Sequence, residues 1–158
     1  MKNLALYGFA AIVTAFIAAP SIAGDMTATF DTRHKECLER IAVDADLAFE
    51  EAMIWRNDGG GRRARHCEAM ALFAIGHKEE AARRLEVLAT SPDAGTPAMR
   101  ADFYTEASNF WLMSNRPDEA YAATTAGLEN SRDHTELRIA RARAYALMGR
   151  YEYSEIDL

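Results

Sequence analysis

Along most of this chain the apolar positions recur three and four residues apart, the stripe of an amphipathic helix. Strictly alternating runs rich in Val, Ile and Thr, the mark of a strand, are absent. Asp31 or Thr32 can cap a first helix ending near 43, with Cys37, Leu38, Ile41 and Ala42 on one face. Residues 24–31 then form a short flexible lead-in. A second helix is predicted over 46–56, with Leu47, Ala48, Ala52 and Trp55 turned inward. The run Asn57-Asp58-Gly59-Gly60-Gly61 stops it, because glycine is costly inside a helix and suits left-handed turns. No strand precedes these glycines and no Gly-Lys-Ser/Thr follows, so they read as a helix connector, not a phosphate loop.

Further helices are predicted over 62–75, 78–90, 98–114, 117–130 and 133–148, with a last one starting at Tyr151. Ser91 to Pro97 is a loop, Pro117 suits a first helical turn, and Asp133 can act as a cap. One segment occurs three times, at 71–81, 110–120 and 144–154. Each copy ends a helix, turns at Gly76, Asn115 or Gly149, and begins another. The last two turns lie 34 residues apart and the first two 39, the extra length falling in the 91–97 loop. A period near 34 marks a solenoid of helix pairs. The expected fold is all-α, an antiparallel helix-pair superhelix of about seven to eight helices.

The three copies resemble the tetratricopeptide repeat family. Small residues stand in mid-helix (Ala69, Ser108, Ala142), large ones three later (Leu72, Trp111, Tyr145), and small ones early in the second helix (Ala81, Ala120, Ser154). The resemblance covers 62–158, with a degenerate helical pair before it at 32–61. Asn115 replaces the usual turn glycine, which Asn tolerates. Ser154 replaces the usual alanine, and the last helix of the third repeat is cut short at Leu158. The resemblance implies a groove lined by the first helix of each repeat. Repeat phase then offers Arg63, His66, Met70 and Phe73; Asp102, Thr105, Asn109 and Leu112; and Glu136, Ile139, Arg143 and Ala146. Arg63, His66, Asn109 and Arg143 are the expected partner-binding residues. In the family, Asn at this position bonds a peptide backbone, and Arg can fork onto a carboxylate. Met70 stands where the carboxylate-clamp version has Asn, so that clamp is not expected.

Met1-Lys2-Asn3, an uncharged apolar run over 4–19, Pro20 and the small residues of Ser21-Ile22-Ala23 form a secretory signal. Cleavage is expected between Ala23 and Gly24, giving a periplasmic or secreted protein. The apolar run falls short of the roughly 20 residues a spanning helix needs. Export places Cys37 and Cys67 in an oxidising compartment, where an even count fits one disulfide. It would close a loop of about 30 residues, worth roughly 3–4 kcal/mol in the chain-entropy model. A zinc site made with His34 and His66 is the sharper alternative, and free buried thiols a third. Adjacent residues such as His66 and Cys67 rarely point into one tetrahedron, which weighs against zinc, and no metal or other cofactor is expected.

A net charge of −6 makes the chain a poor general binder of phosphate backbones. Arg138, Arg141 and Arg143, near Arg132 and Arg150, read as a solvated face or a salt-bridge network. Trp55, Tyr104, Phe110, Trp111 and Tyr145 have helical spacing and read as core. No His-Glu-x-x-His or Gly-x-Ser-x-Gly occurs, and the carboxylate pairs Glu50-Glu51 and Glu79-Glu80 split across helix faces. The expectation is a non-enzymatic adaptor for a peptide or protein partner. The alternative is a structural subunit that self-associates through its uncapped C-terminal end.

Overall fold

The computed structural model describes residues 22–157, with side-chain surroundings from Thr27 onward. The export signal expected over 1–23 lies almost wholly outside them. Among the described residues there are eight helices and no strand: α1 (Ile22–Ile41), α2 (Ala45–Asn57), α3 (Gly61–Ala74), α4 (Lys78–Thr90), α5 (Pro97–Met113), α6 (Pro117–Asn130), α7 (Thr135–Leu147) and α8 (Tyr151–Asp157). Each helix packs on the next, and α1 also meets α3 as α5 meets α7. The fold is an all-helical, solenoid-like stack of helix pairs.

The three repeated turns share one hydrogen-bond pattern. Gly76, Asn115 and Gly149 all have positive φ, at 100°, 55° and 73°. The following amide reaches back to the carbonyl of Leu72, Trp111 or Tyr145 at 2.9, 2.9 and 2.8 Å. This six-to-one closure satisfies carbonyls that a helix end leaves open. Gly59 ends α2 in the same way, with Gly60 N–H bonding Trp55 O at 2.9 Å.

The predicted close-packing positions are buried where a repeat has neighbours on both sides. Ala69, Ser108, Ala81 and Ala120 are fully buried, and Leu72 and Trp111 fill the space beside them. In the last pair Tyr145 and Ser154 are only half-buried. Trp55, Tyr104 and Phe110 are also core residues, as their spacing indicated. Phe110 stacks on Phe73 at 3.8 Å between ring centroids. Glu68 is buried at 2% exposure and takes Arg56 Nη1 on both oxygens at 2.9 Å and Arg84 on one, tying α3 to α2 and α4. Arg141 forks onto the buried carboxylate of Asp157 at 2.7 and 2.5 Å and holds α8 on α7.

Three local expectations change. The lead-in at 24–31 is helical, because 25–41 contains no glycine or proline to stop α1. Asp31 and Thr32 are therefore interior, not caps: Thr32 Oγ1 donates to Ala28 O at 3.0 Å and Asp31 pairs with Arg63. Asp44 caps α2 instead, accepting from Leu47 N–H at 3.0 Å. His134 Nδ1, not Asp133, accepts the Leu137 N–H at the start of α7.

Candidate functional site

The odd-numbered helices α1, α3, α5 and α7 supply the face on which the four expected binding residues were placed. The structure divides these residues into two sets. Asn109, Leu112 and Met113 from α5 and Arg143, Ala146 and Leu147 from α7 line one open groove of about 640 Å³. Asn109 is half-buried and Arg143 exposed. Arg143 makes no ion pair or side-chain hydrogen bond among the described residues. Met113 and Leu147 stand 59% and 55% exposed on the groove walls. The groove thus combines an unpaired guanidinium, an amide able to donate and accept, and an apolar wall.

Arg63 and His66 do not join that groove. Arg63 is committed to Asp31 of α1 at 2.5 Å. His66 lies between two helices: its Nδ1 is 2.9 Å from His34 Nε2 of α1, and its Nε2 is 2.7 Å from Glu106 Oε2 of α5. Its ring also leans on Phe103, at 5.5 Å between centroids. Arg63 and His66 thus stand apart from Asn109 and Arg143. Both are taken up by side chains on neighbouring helices. The missed signal was a spacing. Asp31–Arg63, His34–His66 and Asp102–His134 are each 32 residues apart, linking α1 to α3 and α5 to α7 in one register. His66–Glu106 spans 40, across the longer connection that includes the 91–96 loop.

Of the other positions proposed for the face, Asp102 takes His134 at 3.1 Å and Thr105 bonds back to Ala101 O at 2.9 Å. Phe73 is spent on the Phe110 stack. Sequence phase found Leu112 and Ala146 but missed Met113 and Leu147, each one residue further along its helix.

Electrostatics sharpen the contrast between the halves of the face. Burial, with the facing His66 and the Arg63 and Arg62 charges, pushes the His34 imidazole down to about 4, although Asp31 acts in the opposite sense. The Arg63 guanidinium holds Asp31 below the usual carboxylate range. The α1 end of the face is thus internally compensated, whereas Arg143 has no such partner. A second cavity of about 300 Å³ between α1 and α2 is lined by Arg33, Glu36, Cys37, Arg40, Glu51, Ile54 and Trp55. Its charges largely answer one another: Arg40 meets Glu51 at 3.0 Å, and Arg33 lies over the Trp55 ring at 4.8 Å.

Cys37 and Cys67 form a disulfide with Cα atoms 6.3 Å apart, stapling α1 to α3. Both thiols are consumed, so the four-ligand zinc reading loses two of its ligands. No group of three or more metal-ligating side chains occurs among the described residues. The disulfide is consistent with an oxidising compartment. No helix among the described residues is long and apolar enough to cross a membrane. Among the described residues, Arg141 is the member of the basic cluster near the C-terminus that is tied into a salt bridge, with Asp157. No protein-family model, curated protein or solved structure matches the chain.

Proposed function

We propose that this chain is an exported, non-enzymatic, tetratricopeptide-like adaptor that holds a segment of a partner protein in the α5–α7 groove. One observation carries this reading. Arg143 is unpaired among the described residues and stands beside an apolar wall, whereas Arg63 on the first helix of the first repeat is neutralised by Asp31. A guanidinium offers a planar fork of donors that matches a carboxylate. Asn109 can pair with the backbone of an extended segment, and Met113 and Leu147 can receive an apolar side chain. The fitting ligand is a peptide segment with an acidic residue close to an apolar one.

The test is capture from an envelope fraction by the tagged full chain with its disulfide intact, compared with an Asn109→Ala/Arg143→Ala variant. Hydrogen bonds to charged groups are worth about 1.5–3 kcal/mol, so the double variant should bind roughly tenfold more weakly or worse. Unchanged capture by a folded double variant would remove the groove from the account.

A second reading rests on α8, where Tyr151 and Ile156 stand 67% and 74% exposed. These would serve a copy-to-copy contact. Mass measured across a concentration series decides between them: a monomer at micromolar concentration excludes stable self-association.

A further inference from the structure

The line His34–His66–Glu106 runs across three helices and has proton-dependent geometry. An ionised carboxylate only accepts, so Glu106 takes the Nε2–H of His66 at 2.7 Å. In the neutral pair, His66 Nδ1 must then accept from His34 Nε2–H across 2.9 Å. A first proton can be held without breaking this contact. His66 becomes a cation donating at both nitrogens, Glu106 balances the charge, and His34 changes tautomer to accept. A second proton cannot be held in the same way. Both facing nitrogens would be donors, and two cations would sit 2.9 Å apart.

We propose that this line is an acid-operated latch on α1: it keeps α1 docked on α3 through the first proton and releases the part of α1 before Cys37 on the second. The groups facing the pair support the assignment. From α1, Asp31 is already committed to Arg63. From α3, Arg62 and Arg63 add positive charge that opposes a second cation. From α5, Glu106 can answer only one imidazolium, through His66. From α2, Glu51 is engaged with Arg40, near Glu36 and Cys37 rather than in the histidine line. The His34 imidazole, held at about 4, places the second proton well below the ordinary histidine range.

Release would be local. The Cys37–Cys67 bond keeps α1 attached near its C-terminal end. The preceding segment is held by contacts that include Phe30 against Trp55 and Asp31 on Arg63 and carries no covalent tie of its own among the described residues. The proton is the only ligand required, and the device is independent of whether the α5–α7 groove binds a partner.

Nuclear magnetic resonance of the full chain, disulfide intact, tests this through the histidine ring protons and the exchange of α1 amides between pH 7 and pH 3.5. The expected result is a roughly tenfold or greater loss of protection, relative to α5 and α6, over 29–36, following the His34 titration. Between pH 6.5 and pH 4, where the released segment binds one more proton at His34 than the docked one, each pH unit lowered should raise the open fraction by up to about tenfold, and below pH 4 the rise should level off. His34→Gln keeps a donor for His66 Nδ1 and cannot become a cation, so its α1 should stay protected through pH 3.5. If wild-type α1 stays protected after His34 has titrated, or if His34→Gln opens like wild type, the latch is wrong. General acid unfolding would strip α5 and α6 together with α1, and that result also overturns a local latch.

Discussion

Gly127 lies in the interior of α6, where glycine costs about 1 kcal/mol relative to alanine. A Cβ there would meet Leu137 Cδ1 at 2.6 Å and Tyr104 Cβ at 2.8 Å. The tyrosine Cβ is fixed to its backbone and cannot swing aside. Overpacking costs about 1–3 kcal/mol, which outweighs the helix gain, so Gly127→Ala should lower the melting temperature. A rise would mean α5, α6 and α7 are less tightly interlocked than described. Glu68 sets a different constraint. Its carboxylate is buried and held by Arg56 and Arg84, so Glu68→Ala leaves two guanidinium groups without an anion. Breaking a buried pair from one side costs about 3–5 kcal/mol; both arginines here are partly exposed, so about 2–3 kcal/mol is expected from chemical denaturation.

At the scale of elements, a disulfide ties α1 to α3 and an ion pair ties α8 to α7 at the two ends of the stack. Among the described side chains of α1, Cys37 is the one that is buried, with Leu38 and Ile41 half-buried beside it. Little apolar area therefore holds α1 without the bridge. Cys37→Ser should cost about 2–4 kcal/mol under oxidising conditions and nothing extra once wild type is reduced. Equal stability of oxidised wild type and variant would contradict the staple. Arg141→Ala should fray α8, visible as lost amide protection over 151–157 with α5 and α6 unchanged. Helix existence and the three turns were legible because turn chemistry is local: only Gly or Asn suits the φ adopted at 76, 115 and 149. The start of α1 was not legible. Polar residues such as Asp31 and Thr32 resemble caps until their partners, Arg63 and the Ala28 carbonyl, are seen. The histidine cap at 134 was obscured in the same way by the aspartate beside it.

Across the whole molecule, sequence phase placed all four expected binding residues on one family of helices, yet only Asn109 and Arg143 share a groove. Phase tells which helix side a residue occupies; it does not say whether a neighbouring helix has already answered its charge. Arg63 and His66 were answered by residues 32 positions earlier, a pairing visible only once α1 is known to adjoin α3. Acid sensitivity is a property of the assembled chain. His34 binds its proton near pH 4 when folded and near 6.5 when unfolded, so the unfolded chain takes up more protons between those values. Its contribution to stability is fully present above about 6.5 and is lost as pH falls toward 4. Glu86, raised by burial, acts in the opposite sense, while Asp31 and Asp93, held low by Arg63 and Arg65, matter only in stronger acid. Melting temperature should therefore fall between pH 6.5 and 4 in wild type and fall less in His34→Gln; parallel curves would remove His34 as the cause.

The most direct test of the groove is a titration of the partner captured from the envelope against three forms of the full chain: wild type, Asn109→Ala/Arg143→Ala, and Arg63→Ala. The account predicts affinity at least about tenfold weaker for the double variant and unchanged for Arg63→Ala, because among the described residues Arg143 is unpaired and Arg63 is not. Equal affinity for wild type and the double variant, or a loss with Arg63→Ala alone, would contradict it.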